Sequence, residues 1–230
     1  MLLENEGYLL LEMPLIEIIP AALTKNDIDT IKAINQFDWI VFTSPNGIQI
    51  FFDHYQKVTG NTHLPPSLKT AVVGKTTQMI LGTFGSNATL VNPGNTGNEL
   101  AEAMLAVIQP NQNILFPEGD LARGEIAEIL SSKAQCTRLV VYKNQMPEKI
   151  DQKLIQQIID DRYDYIILTS PSGFINLKKV FDNKIDLQKL RLISIGTTTT
   201  AEIENHGIRP YGTALMSNVQ GIIESIVSSH

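Results

Sequence analysis

Asp38-Trp39-Ile40-Val41-Phe42-Thr43-Ser44-Pro45-Asn46-Gly47 recurs as Asp164-Tyr165-Ile166-Ile167-Leu168-Thr169-Ser170-Pro171-Ser172-Gly173, 126 positions further along the chain. A second element, Val72-Val73-Gly74-Lys75-Thr76-Thr77, is answered by Ser194-Ile195-Gly196-Thr197-Thr198-Thr199 at a spacing of 122. In both copies another glycine, Gly85 or Gly207, follows eleven positions after the first. A duplicated strand, turn and helix start at this spacing implies two similar domains, and the chain of 230 residues, 43% hydrophobic and 18% charged, has the apolar content to give each a core.

Short β-branched runs alternate with amphipathic stretches, the pattern of βαβ units and a parallel sheet. Strands are predicted at Trp39–Thr43, Thr70–Gly74, Ala88–Asn92, Asn113–Phe116, Tyr165–Thr169, Leu192–Gly196 and Arg209–Gly212. Helices are predicted at Asn98–Ile108, with Leu100, Met104, Val107 and Ile108 on one face, and at Gly221–Val227, with Ile222, Ile223 and Ile226 inward. Leu15–Pro20 and Arg138–Lys143 are extended but no typical helix couples them to a parallel neighbour, so they read as connectors that pair with each other. The expected fold is α/β: two doubly wound, mainly parallel-sheet domains joined by a two-stranded β linker, with a cleft between them. Residues 22–137 form an inserted domain, and residues 1–21 and 138–230 form a discontinuous one with the linker strands.

Each Thr-Ser-Pro-x-Gly falls where a buried strand ends and a helix begins. Serine suits the N-cap and proline the first turn, and the free N–H groups there, with the helix dipole, receive carboxylates or phosphates. The Gly-x-Thr-Thr elements repeat this arrangement and add hydroxyls. Any one such junction by itself is an ordinary capped helix; four of them, two per domain, at the strand ends where open α/β sheets bind ligands, favour an anionic ligand. No Walker loop and no Gly-x-Gly-x-x-Gly is present, so neither a nucleoside triphosphate nor a dinucleotide is indicated.

Other residues exclude more than they suggest. Lys and Arg number 18 against 24 Asp and Glu, a formal net charge of −6, and no basic run marks a nucleic-acid partner. The single cysteine, Cys136, permits no internal disulfide and no cysteine-cluster metal site, and reads as a small residue near a strand edge. His54, His63, His206 and His230 lack ligand spacing. The acidic Met1–Glu6 opening is no signal peptide, and the apolar stretch from Tyr8 to Leu23 is too interrupted to span a membrane, so the expectation is a cytoplasmic monomer without membrane or nucleic-acid partners. Trp39 is expected in the core. Glu118-Gly119-Asp120 with Arg123 reads as either a substrate-facing loop or a solvated turn held by an arginine ion pair. No carboxylate pair and no Ser/His/Asp set can be argued from spacing, so strong acid–base groups carry little of any chemistry.

Pro14-Leu15-Ile16-Glu17-Ile18, the paired Thr-Ser-Pro-x-Gly elements, Val73-Gly74-x-x-Thr77, Val141-Tyr142 and Ile195-Gly196-Thr197-Thr198-Thr199 together resemble uroporphyrinogen-III synthases, in order and over nearly the whole chain. The resemblance implies a lyase of heme (porphyrin) biosynthesis that needs no metal or cofactor. It cyclises hydroxymethylbilane, a linear tetrapyrrole bearing acetate and propionate groups, with loss of water and inversion of ring D through a spiro intermediate. It implies that Tyr142 assists departure of the substrate hydroxyl, with Thr77 and Thr199 as the accompanying catalytic threonines. It implies that Ser44, Gly47, Gly74, Lys75, Thr76, Arg123, Ser170, Ser172, Gly173, Gly196, Thr197 and Thr198 bind substrate. Thr197 stands where the family commonly has proline, and Phe116-Pro117-Glu118 where arginine is common, which weakens the assignment of Arg123. Leu2–Gly7 looks like the end of a helix whose preceding strand is missing, so the discontinuous domain is expected to lack a central strand. A different class of protein would share these loops: a non-catalytic two-domain module that closes on an anionic small molecule and releases it unchanged. A sugar-phosphate enzyme fits less well for want of an acid–base pair.

Overall fold

The computed structural model describes residue 4 and residues 7–92 and 96–228. Leu2, Leu3, Asn5 and Glu6, on which the helix-end reading rests, lie outside them, as does His230. In chain order the elements are β1 (Glu17–Pro20), α1 (Lys25–Lys32), β2 (Trp39–Phe42), α2 (Pro45–Thr59), β3 (Lys69–Val73), α3 (Gly74–Thr83), β4 (Leu90–Asn92), α4 (Gly97–Val107), β5 (Asn113–Gly119), α5 (Glu125–Leu130) and β6 (Gln135–Gln145). There follow α6 (Gln152–Ile159), β7 (Ile166–Leu168), α7 (Pro171–Phe181), β8 (Leu192–Ser194), α8 (Thr197–Asn205), β9 (Gly212–Thr213) and α9 (Val219–Ser228). The chain divides into two compact units, residues 18–144 and residues 1–17 with 145–230.

In the 18–144 unit the strand order is β1-β6-β5-β2-β3-β4, and β6-β5-β2-β3-β4 are mutually parallel. Alternate residues of each strand feed opposite faces. Ile40, Phe42, Val72, Leu115, Leu139 and Val141 pack with Phe51, Phe52 and Tyr55 of α2 and Leu81 of α3. Trp39, Val41, Ala71, Ile114 and Phe116 pack against Leu100 and Met104 of α4 and Ile126 and Leu130 of α5. Burial on both faces explains why Trp-Ile-Val-Phe reads as one apolar run rather than an alternation. Trp39 is core, as expected, and its indole N–H donates to Gln112 Oε1 at 3.1 Å.

The connector Arg138–Lys143 proves to be part of a longer strand. β6 does neighbour β1, but its residues Gln135–Tyr142 also run in register along β5, which continues to Gly119 rather than stopping at Phe116. The pair is therefore the margin of a six-stranded sheet rather than a free-standing two-stranded link.

The other unit carries a three-stranded parallel sheet, β7-β8-β9, with β8 central. Leu168 and Leu192 pack with Phe174 and Leu177 of α7 and Ile203 of α8, and Ile193 packs with Ile222, Ile223 and Ile226 of α9. The buried Asn176 amide donates to Leu15 O at 2.8 Å, and the Leu15 side chain packs in this unit's core. Among the described residues no strand flanks β7 on its other side.

Other predicted details shift as well. Val107 is 45% exposed, because Leu100, Met104 and Ile108 follow the four-residue spacing of one face and Val107 falls off it. The last strand is Gly212–Thr213, not Arg209–Gly212. Among the described residues no helix is long and apolar enough to cross a membrane.

Candidate active site

The strand order locates a site before any side chain is considered. From β2 the chain moves outward through β3 to β4, then returns to place β5 on the other side of β2. The crevice outside the carboxyl ends of β2 and β5 is the topological switch point, where open α/β sheets bind ligands. Ser44 follows β2, and Pro117, Glu118 and Gly119 end β5.

Ser44 is the N-cap of α2, and its Oγ accepts from the Gly47 amide at 3.1 Å, with Pro45 in the first turn. Gly47 is buried so tightly that a Cβ would lie 3.2 Å from Ser44 Oγ and 3.3 Å from Pro117 O. Tyr142 reaches the same place from β6. Its hydroxyl is 3.4 Å from Ser44 Oγ, and its ring lies on Gly119, where a Cβ would come within 2.6 Å of Cζ. This contact depends on a bulge: Glu118 is opposite Val140 but Gly119 is opposite Tyr142, leaving Val141 as the extra residue. Ser44, Gly47 and Tyr142, three of the residues singled out in the sequence, are thus brought together, and Gly119 is their floor.

The carboxylate beside this cluster is neutralised. Glu118, almost fully buried, pairs with the Arg138 guanidinium, which also donates to Ala122 O at 2.8 Å and ties the turn after β5. Arg123 is not drawn in: it is exposed and pairs loosely with Glu125 at 3.8 Å, a contact with little energetic weight. At Asp120, burial raises the carboxyl pKa, but hydrogen bonds from the Asn144 backbone N–H at 2.9 Å and amide at 3.1 Å outweigh it and hold it below the ordinary value. The Asp120 N–H in turn donates to Tyr142 O at 3.0 Å.

Gly74 opens α3 with φ +77°, a left-handed backbone that only glycine adopts without strain, and no side chain caps the helix. Lys75 and Thr76 are exposed there, whereas Thr77 is buried at 3%. In the other unit Ser170 caps α7 by accepting from the Gly173 amide at 3.1 Å, and Ser172 Oγ lies 3.3 Å from Ser170 Oγ. Gly196 precedes α8 in extended conformation, its carbonyl accepting from the Thr199 and Thr200 amides, both at 3.1 Å. Thr197 and Thr198 are exposed, and Thr199, like Thr77, is buried at 3%. Behind them Thr200 Oγ1 lies 2.5 Å from Ser194 Oγ and 2.6 Å from Thr213 Oγ1, a hydroxyl chain that stitches α8 to β8 and β9.

Sequence reasoning missed Arg138 and this hydroxyl chain, and named Gly119 only within a loop that could face substrate. Gly119 and Arg138 matter only because β5 and β6 pair in parallel, which no local pattern announces; the run of four threonines was a visible sign of the chain, but Ser194 and Thr213 were not.

The comparisons with known proteins agree on one family. A relative from Chlorobaculum parvum named uroporphyrinogen-III synthase is 32% identical over 212 residues, covering 90% of this chain and 83% of that protein. A porphyrin biosynthesis protein HemD from Ruminiclostridium josui is 26% identical over 94% of this chain, which spans only 43% of that longer protein. Among solved structures, a mutant uroporphyrinogen III synthase from the extremely thermophilic bacterium Thermus thermophilus superposes with a TM-score of 0.63 at 13% identity, covering 99% of this chain and 92% of that one. The uroporphyrinogen-III synthetase of Helicobacter pylori 26695 gives 0.62 at 17% identity, over 94% and 91%. At these identities the structures testify to the fold, which is the α/β arrangement described above. The sequence model of the family Uroporphyrinogen-III synthase HemD matches residues 1–224, and the chain belongs to that family.

Proposed function

We propose that the chain is a uroporphyrinogen-III synthase of tetrapyrrole biosynthesis, a lyase that closes hydroxymethylbilane with inversion of ring D. The observation that carries the reading to particular atoms is the Tyr142 hydroxyl, 3.4 Å from Ser44 Oγ at the amino end of α2. In this reading Tyr142 donates a hydrogen bond to the substrate hydroxyl as it leaves as water. The azafulvene left behind is attacked by the substituted carbon of ring D, and the spiro intermediate opens and recloses with that ring inverted. Substrate carboxylates are received by the amides and hydroxyls at Ser44–Gly47 and Gly74–Thr76; in the other unit, taken by itself, Ser170–Gly173 and Gly196–Thr198 offer the same groups to a carboxylate. Thr77 and Thr199 hold the first turns of α3 and α8 from beneath, consistent with their burial. Much of the acceleration then comes from holding a flexible chain in one reactive conformation and stabilising its cation.

We further propose that the protein works as a monomer in the cytoplasm, without a nucleic-acid partner, consistent with its net charge of −6. Supplying hydroxymethylbilane, oxidising the products and separating the porphyrin isomers tests the activity. The type III isomer is expected in excess; type I alone, the product of closure without inversion, would refute it.

A further inference from the structure

His54 is a buried imidazole to which the family resemblance gives no part. It lies in the third turn of α2, the helix whose amino end carries Ser44 and Gly47, and it is only 8% exposed. Burying such a ring is unfavourable unless its nitrogens find partners. Nε2 lies 3.1 Å from Val141 O. A carbonyl has no proton to give, so Nε2 carries the hydrogen and donates, in the neutral ring and in the protonated one alike. The same carbonyl accepts from the Ala21 amide at 2.9 Å, which occupies both of its lone pairs.

Val141 is the extra residue of the bulge, and Tyr142 comes next. The two ends of one helix segment therefore act on neighbouring residues of β6: Ser44 at the Tyr142 hydroxyl, and His54 at the carbonyl just before Tyr142. On the other side the Tyr142 carbonyl is held by the Asp120 amide. We propose that His54 is a positioning residue for Tyr142, fastening the bulge to α2 so that the tyrosine hydroxyl and the amide end of that helix form one rigid frame. The inference rests on the role given to Tyr142 above.

The test is a double-mutant cycle with a second, activity-free readout. His54→Leu keeps the volume and removes the donor; turnover to the type III isomer is expected to fall about tenfold, with KM changed less than about twofold, as for a misplaced group that is still present. His54→Gln, whose amide reaches the same carbonyl, restores most of it. In a Tyr142→Phe background His54→Leu costs less than about twofold, because the two act through one hydroxyl. Should His54→Leu fail to fold, His54→Asn, whose amide stops short of the carbonyl, replaces it in the cycle. A full-size loss in the Tyr142→Phe background, a loss in KM alone, or an undiminished rate would overturn the proposal. In parallel, the ring resonances of isotope-labelled Tyr142 are expected to move in His54→Leu and to stay in His54→Gln. Unmoved resonances overturn the positioning role even if the enzyme is active. Shifted resonances in a protein that makes only the type I isomer uphold the positioning and reject the activity.

Discussion

Tyr142 owes its place to a residue with no side chain. Its ring occupies the space where a Cβ on Gly119 would stand, and its hydroxyl is thereby presented to the N-cap of α2. Gly119→Ala is accordingly expected to push the ring off the strand and, given the role proposed for Tyr142, to lower turnover by about tenfold or more, since displacement of such a group by an ångström is costly. Steady-state rates with a melting curve on the same sample check this, and an unchanged rate would show that the ring's seat is unimportant. Gly119 lay in plain view within Glu118-Gly119-Asp120, but its role was hidden. The sequence resemblance singled out Tyr142, Ser44 and Gly47 one by one, whereas the contact that unites Tyr142 with Gly119 comes from strand register, which is a long-range property. Arg123 illustrates the reverse: a charged residue in a promising loop turns outward, and Arg138, a strand residue among connectors, meets the buried carboxylate instead.

At the level of elements, the βαβ alternation was readable because each strand end carries its own punctuation. Ser-Pro fixes the start of α2 and α7, and glycine precedes α8 and opens α3. The length of β5 and β6 was not readable, because Pro117 and the polar residues after it look like a strand's end, whereas their pairing continues through a bulge to Tyr142. The turn that follows β5 is pinned by Asp120, whose carboxyl is held below its ordinary value of 3.8 by Asn144 after burial is offset. A carboxyl depressed in the folded state stabilises it above the unfolded value and loses that contribution as pH falls through the folded value. The amides of Asn144 and neighbouring turn residues are therefore expected to lose protection, measured against their intrinsic exchange rates, below about pH 4, and Asp120→Asn should remove that dependence. Amide exchange measured against pH checks it; a turn equally protected at acid pH in both proteins would contradict the assignment.

For the molecule as a whole, the proposed function sets an acidic chain to handle a substrate rich in carboxylates. In the proposed mechanism local amides and hydroxyls at helix ends resolve this conflict, attracting at short range while the net charge of −6 repels only weakly through salt. The rate constant kcat/KM is expected to rise modestly, about two- to threefold, between low ionic strength and about 0.15 M, as repulsion is screened. A steep fall would mean that cationic side chains, not helix ends, hold the substrate. The duplication that suggested two similar units is realised as strand-turn-helix starts in both, but the units differ. Among the described residues one carries six strands and Tyr142, and the other three strands and a hydroxyl chain. In the proposed mechanism, ring-inverting closure depends on the Tyr142 hydroxyl held at the amino end of α2. The decisive comparison is the rate of type III isomer formation from hydroxymethylbilane by the unaltered chain and by Tyr142→Phe, at saturating substrate. Rapid type III formation is expected from the first and a loss of about tenfold to a hundredfold in the second, with the fold and substrate affinity retained; equal rates would contradict the mechanism.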